Sequence, residues 1–136
     1  MTGQLSTVGA NNALDGALGR VTQTARTVYL ALLTAAPTDS TTNATMTEYG
    51  ATGYARQACA FAAPSGDPSA TSNSGTLTFG PFTAGTGATV THCAIVSSAS
   101  GTTGDFIYYF TLDVSKTPTT GDSIVFGAGD LDVSLD

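Results

Sequence analysis

His92 is the one histidine of this 136-residue chain and the first residue to consider for acid–base chemistry. General bases and nucleophiles work beside other ionisable groups that adjust their pKa values. The chain has four Lys and Arg residues, and 10% of its residues are charged. Near His92 no Ser or Cys stands in a recognisable nucleophile motif. We therefore assign His92 no catalytic role and expect a protein that is not an enzyme.

Four aspartates raise the question of a calcium site. Asp130 and Asp132 share one face of a predicted final strand, and Asp113 or Asp122 could approach them with further oxygen ligands. The sequence contains no ligand loop of the EF-hand type. Alternating Asp residues on a solvent-facing strand also discourage edge-to-edge aggregation. We expect no bound metal and no cofactor.

Cys59 and Cys93 are the two cysteines, and both fall in predicted strands. Neither has a His or Cys neighbour at the spacing of a tetrahedral zinc site. Free cysteines are often small buried hydrophobic residues. A disulfide between them remains an alternative that the sequence does not decide, because it requires that the two strands be neighbours with suitable Cβ positions.

Arg56 has the best-defined candidate partner in the sequence. Its guanidinium group can donate two parallel hydrogen bonds to a carboxylate such as Glu48 and so order the intervening loop. Alternatively, it can contact a neighbouring subunit. We favour the internal pairing. Tyr49 and Tyr54 flank the same loop, where their rings could stack on a sugar.

The net charge of −6 limits the classes of partner. Binding to a phosphate backbone depends on Lys and Arg, so we expect no nucleic acid partner. The longest apolar run, Val28 to Ala36, is shorter than the roughly 20 residues of a spanning helix. Residues Met1 to Ala10 lack the pattern of a signal peptide. We expect synthesis in the cytoplasm of the producing cell and no membrane partner.

A short N-terminal helix is predicted before a β-rich remainder. Asn11 or Asn12 could cap it, Leu14 and Leu18 share one face, and Gly19 could end it. Such a short helix is marginal alone, so Leu14 and Leu18 should contact the domain or a partner. We divide the chain into an arm or helix over residues 1–26 and a β domain over residues 27–136.

The remainder reads as short strands separated by turn-forming residues. Phe106 to Leu112 alternates, with Phe106, Tyr108, Phe110 and Leu112 predicted on one face. About seven strands with such turns predict an all-β fold, an antiparallel β-sandwich or barrel-like domain. The predicted strands are Val28–Leu33, Ala55–Ala62, Thr76–Phe82, Val90–Val96, Phe106–Leu112, Ser123–Phe126 and Leu131–Leu135, and Pro64–Ser74 is predicted as a connection.

Several blocks of the sequence resemble a family of small virion proteins of tailed bacteriophages, commonly labelled tail-fibre proteins. The most specific block is Gly53-Tyr54-Ala55-Arg56-Gln57. The others are Val28 to Thr34, Ala36 to Asp39, Thr78-Phe79, Val90 to His92 and Ala128 to Leu131. The resemblance implies a structural component of the virion.

Charge then favours the outer surface of the particle, because an acidic protein is repelled by packaged genome. Our first hypothesis is a capsid decoration, or cement, protein that contacts the major capsid protein and copies of itself on the outer head. Repetition over a symmetric shell would strengthen modest contacts. The alternative is a tail-fibre or receptor-binding module, whose partners would be other tail proteins or a host surface glycan.

Overall fold

The computed structural model describes residue 1 and residues 3–135. In that part of the chain, one helix and nine strands form an all-β fold with antiparallel sheets, which confirms the predicted fold class. The elements are β1 (Gly3–Leu5), α1 (Thr7–Ala17), β2 (Val28–Leu33), β3 (Gln57–Cys59), β4 (Ser69–Ser72), β5 (Leu77–Phe79), β6 (Val90–Val96), β7 (Phe106–Lys116), β8 (Ile124–Phe126) and β9 (Asp132–Leu135).

A five-stranded sheet in the order β1-β7-β6-β2-β3 organises the molecule, and β5 with β8 and β4 with β9 form two-stranded sheets. The interior strands β2 and β6 have the bounds that their apolar runs predict. β2 and the second half of β6, Cys93–Val96, are apolar at successive positions, which is typical of strands that are covered on both faces. Leu30 to Leu33 and Cys93 to Val96 are buried accordingly.

The main hydrophobic core lies between one face of this sheet and the β5–β8 pair. Leu77 and Phe79 of β5 are buried while Thr78 between them is exposed, so the predicted alternation holds there. The core includes Leu30, Leu32, Tyr49, Cys59, Leu77, Phe79, Phe82, Cys93, Ile95, Tyr108, Phe110, Ile124, Phe126 and Leu131. Its largest side chains are aromatic, and they dominate the apolar surface removed from water.

A second cluster occupies the opposite face of the same sheet, and it consists of Ala31, Leu33, Ala94, Val96, Phe106 and Tyr109. The polar segment 34–48 folds back beside this face. Its backbone is fixed by a hydrogen bond from Thr34 to Thr47, and the Tyr109 hydroxyl donates to Asp39 at 2.6 Å. Segment 34–48 is therefore an ordered connection, although its composition is polar.

The N-terminal helix begins earlier than predicted. Ser6 is its N-cap and accepts a hydrogen bond from the backbone N–H of Gly9, so Asn11 and Asn12 lie inside the helix. The sequence prediction overlooked Ser6 because the apolar periodicity starts later than the helix. Gly19 follows the C-cap residue with a φ of 68°, as expected for a helix-ending glycine.

Residues of the predicted arm contribute directly to the main sheet. β1 pairs with β7 through Gly3 opposite Phe110 and Leu5 opposite Tyr108. A Cβ atom on Gly3 would collide with the Tyr109 carbonyl oxygen. Only glycine permits this close approach of the two backbones.

Several strand predictions are wrong in detail. β3 and β5 are shorter than predicted, and β7 continues past Leu112 to Lys116. β4 forms within the supposed connection Pro64–Ser74, where it pairs with β9. In β7 the register shifts between the pairs Ile95–Tyr108 and Val96–Phe106. The extra residue moves Phe106 to the face of Tyr109, away from Tyr108 and Phe110.

Candidate functional site

The Arg56 cluster, formed by Glu48, Tyr54, Arg56 and the turn Ser98–Gly101, is the best-connected polar group in the described residues. Arg56 Nε and Nη2 donate to the two carboxylate oxygens of Glu48, each at 2.8 Å. Nη1 donates to the backbone oxygen of Ser98 at 2.9 Å and to its hydroxyl at 3.3 Å. Nη2 also donates to the Gly101 oxygen at 2.9 Å. These contacts occupy all five N–H donors of a guanidinium.

The low exposure of the Arg56–Glu48 ion pair indicates that it stabilises the fold. The Arg56 side chain is 3% exposed and that of Glu48 is 26% exposed. The hydrogen bond to Glu48 raises the pKa of Arg56. Because the fork is satisfied within the chain, Arg56 has no donor to offer a ligand. The sequence indicated Glu48 as a partner, whereas nothing in the low-complexity turn around Ser98 pointed to the other two contacts.

Tyr54 completes the cluster by joining it to the sheet. Its hydroxyl donates to Glu48 at 2.6 Å and accepts from the backbone N–H of Leu32 at 3.1 Å. Its ring stacks on Phe79 with the centroids 6.0 Å apart. Burial, followed by the bond to Glu48, raises the pKa of Tyr54. Tyr54 therefore stays protonated and positions the carboxylate.

Tyr49 does not fit the sugar-stacking hypothesis. It is 1% exposed, and its ring makes edge-on contacts with Tyr54 and Phe82 in the main core. Both faces are therefore closed to a sugar. Among the described residues, its hydroxyl has no hydrogen-bond partner. The aromatic residue types suggested a sugar platform, whereas packing uses them as core.

His92 lies on β6 opposite Leu33 and Thr111. Its Nδ1 is 2.8 Å from the hydroxyl of the adjacent Thr91. Burial lowers the pKa of His92, which favours the neutral imidazole near pH 7. The structure thus gives His92 a local hydrogen bond and a place in the sheet.

The two cysteines are free buried thiols. Cys59 on β3 is paired with Val28, and Cys93 on β6 is paired with Leu32, so β2 lies between them. Two strand spacings separate the backbones by roughly 9–10 Å, beyond the reach of a disulfide. Burial raises the pKa of Cys59 to about 11 and that of Cys93 further.

Two of the four aspartates considered for calcium accept local backbone hydrogen bonds. Asp130 accepts from the backbone N–H of Gly127 at 2.7 Å, and Asp122 accepts from that of Thr119 at 2.9 Å. The bond from Thr119 lowers the pKa of Asp122. Within residues 1 and 3–135, no three His, Cys, Asp or Glu side chains are grouped as a metal site would require.

Leu14 on α1 and Leu18 at its C-cap are both exposed. Their side chains are 59% and 79% exposed, respectively. The opposite side of α1 docks on β7, and the Asn12 amide donates to Asp105 at 3.1 Å. The structure therefore buries neither leucine and leaves both available to a partner. In the described part of the chain, no helix is long and apolar enough to cross a membrane.

Comparison with known proteins gave one family. The model of the family described as "Podophage GP4 fiber I protein gp80" matches residues 4–134. A search of curated proteins found no match.

Proposed function

Because the chain belongs to this family of podophage fibre proteins and is a bacteriophage virion protein, we propose that it is a non-enzymatic structural component of the fibre. It would be held in place by contacts with copies of itself and with neighbouring tail proteins. The family match over residues 4–134 carries this proposal.

The chemistry of the described residues supports a role without catalysis. The Arg56 guanidinium has all five donors occupied inside the chain. Cys59 and Cys93 are buried thiols with raised pKa values, which disfavours the nucleophilic thiolate. His92 is engaged with the neighbouring Thr91 hydroxyl. The groups most suited to react are thus used in packing.

The surface supports a role in assembly. Exposed large hydrophobic side chains occur at the end of α1 and again on β7 and β8, and these side chains lie outside the two core clusters. The net charge of −6 suits an outward-facing protein. We propose that these surfaces, and not a ligand pocket, carry the function.

Copy number and position in the purified virion test the proposal. Quantitative mass spectrometry against the major capsid protein should give a small number of copies per particle, and electron microscopy with a labelled antibody should mark the tail or its fibres. Hundreds of copies distributed over the head would overturn the fibre position and support capsid decoration, the hypothesis that charge first favoured. Absence from the particle would overturn both.

A further inference from the structure

The elements β1 and α1, together called the donor unit, contact the rest of the molecule over one short stretch of surface. β1 pairs with β7, and the backbone N–H of Ser6 donates to the Ile107 oxygen at 3.0 Å. On α1, the Asn12 amide donates to Asp105 at 3.1 Å. These contacts fall on residues 105–110, which we call the acceptor site.

Two glycines make the acceptor site specific for this segment. A Cβ atom on Gly3 would collide with the Tyr109 carbonyl oxygen, and one on Gly9 would collide with the Ile107 carbonyl oxygen. Only a segment with glycine at both positions can lie this close to β7. A second copy of the chain carries the same segment, so its donor unit fits the acceptor site through the same contacts.

The body, residues 28–135, contains the hydrophobic core without the donor unit. The buried members of both core clusters lie between residues 30 and 131. Met1 and Leu5 pack against the main cluster, but both are only partly buried. The core therefore does not depend on which copy supplies the donor unit.

The hinge, residues 18–27, joins the donor unit to β2 and is exposed along its whole length. It folds back on α1, where Arg20 pairs with Asp15 at 2.6 Å. Its one ion pair with the body, among the residues that the structure describes, joins Arg26 to Asp105 at 2.7 Å. When extended, a segment of this length spans about 33–36 Å, comparable with the diameter of a small domain. Opening the hinge thus breaks few bonds and allows the donor unit to reach a neighbouring copy.

The hinge also exposes large apolar side chains to water. Leu18 and Val21 are 79% and 49% exposed, and Leu14, just before the hinge, is 59% exposed. Exposed apolar surface is unfavourable unless another surface covers it. When two copies exchange donor units, each hinge runs between the two bodies, which can cover these side chains.

We propose that neighbouring copies exchange donor units, so that β1 and α1 of one copy occupy the acceptor site of the next. Because the exchanged contacts are identical to those within one chain, the main cost is the opening of the hinge. A high local concentration of copies favours exchange over closure within one chain. The inference rests on the proposed function, because a fibre holds copies of the chain side by side.

Cross-linking between two full-length chains in the assembled virion tests the exchange. One chain carries Asn12→Cys and the other carries Asp105→Cys, one of them has a C-terminal tag, and both are produced in the same infection. The side chains at these positions contact each other, so a short bismaleimide gives a covalent heterodimer when the donor unit of one chain lies on the body of the other. The control pairs Thr89→Cys with Thr117→Cys, because the hydroxyls of these two exposed body residues are 2.8 Å apart. The native thiols are buried and common to every sample.

We expect Asn12→Cys with Asp105→Cys to give at least about five times more heterodimer than the control mixture. A second mixture, Gln4→Cys with Asp39→Cys, replaces side chains that are 2.9 Å apart, and it should give the same result without altering Asp105. Yields equal to the control in both mixtures would overturn the exchange and leave the fibre position intact. Labelling of the head by the antibody would overturn the fibre position, whatever the cross-links show.

The apolar side chains of the hinge provide a second readout. Adding Leu18→Ser and Val21→Ser to both chains should lower the heterodimer yield at least about twofold, because the exchanged hinge would bury less apolar surface. Val125→Ser is the control, since Val125 is 57% exposed on β8 and lies outside the hinge. Equal yields from the two sets of variants would overturn the burial of the hinge between copies.

Discussion

Replacing Arg56 with Met is the sharpest test of the Arg56 cluster. The substitution introduces a side chain of similar length but removes the five N–H donors that bind Glu48 and the turn Ser98–Gly101. It leaves the Glu48 carboxylate, 26% exposed, without its cation. Breaking a buried pair by removing one partner costs about 3–5 kcal/mol.

Partial solvation of Glu48 places the expected loss of unfolding free energy near the lower end of that range, at about 3 kcal/mol. For a chain of this size the loss corresponds to a fall in Tm of roughly 10–15 °C. Urea unfolding followed by far-UV circular dichroism measures it. The chain has no Trp, so tyrosine fluorescence is the second probe.

Arg20→Met is the matched control. Arg20 pairs with Asp15 at 2.6 Å, but its side chain is 75% exposed, so the change should cost less than about 0.5 kcal/mol. The reasoning fails if Arg56→Met loses no more than Arg20→Met. It also fails if a double-mutant cycle with Glu48→Gln gives a coupling energy near zero, since contacting partners typically couple by about 0.5–3 kcal/mol.

Three further substitutions address single polar groups. Tyr49→Phe removes a buried hydroxyl that has no partner among the described residues, so the unfolding free energy should be unchanged or higher by up to about 1 kcal/mol. Tyr54→Phe should lower the unfolding free energy by about 1–3 kcal/mol, because it removes the hydrogen bonds to Glu48 and Leu32. Equal urea midpoints for the two variants would contradict this expectation. The pKa of His92 is lower in the folded chain, so its contribution to stability is present above about pH 6.5 and is lost as the pH falls. The unfolding free energy of His92→Gln should therefore decline less between pH 7.5 and 5 than that of the parent chain, and parallel profiles would refute the effect.

The sequence predicted best where one local signal dominates. Val28–Leu33 is a continuous apolar run and Val90–Val96 ends in one, Cys93–Val96, and both form strands with the predicted bounds. β1 and β4 were missed because Gly3–Leu5 and Ser69–Ser72 carry little apolar alternation. Their strand conformation depends on partners far away in the chain, β7 and β9. A local pattern does not contain that information.

The candidate site was likewise predicted only in part from the sequence. Complementary charge and a short separation were enough to suggest that Arg56 binds Glu48. Tyr49 and Tyr54 look alike in sequence, yet one is sealed in the core and the other joins the cluster through its hydroxyl. Which side of a loop each ring occupies depends on how segment 34–48 returns to the sheet. Only the tertiary structure fixes that path.

The position of β1 at the edge of the main sheet also orders events during synthesis. Gly3–Leu5 pairs with residues 108–110, and a ribosome adding about 5–20 residues per second needs roughly 5–20 s to advance from one segment to the other. Throughout that interval the emerging N-terminal segment has no strand to pair with. The β2–β3 and β2–β6 ladders are translated first and can form before it. Translation order therefore makes the first strand of the chain a late addition to its sheet.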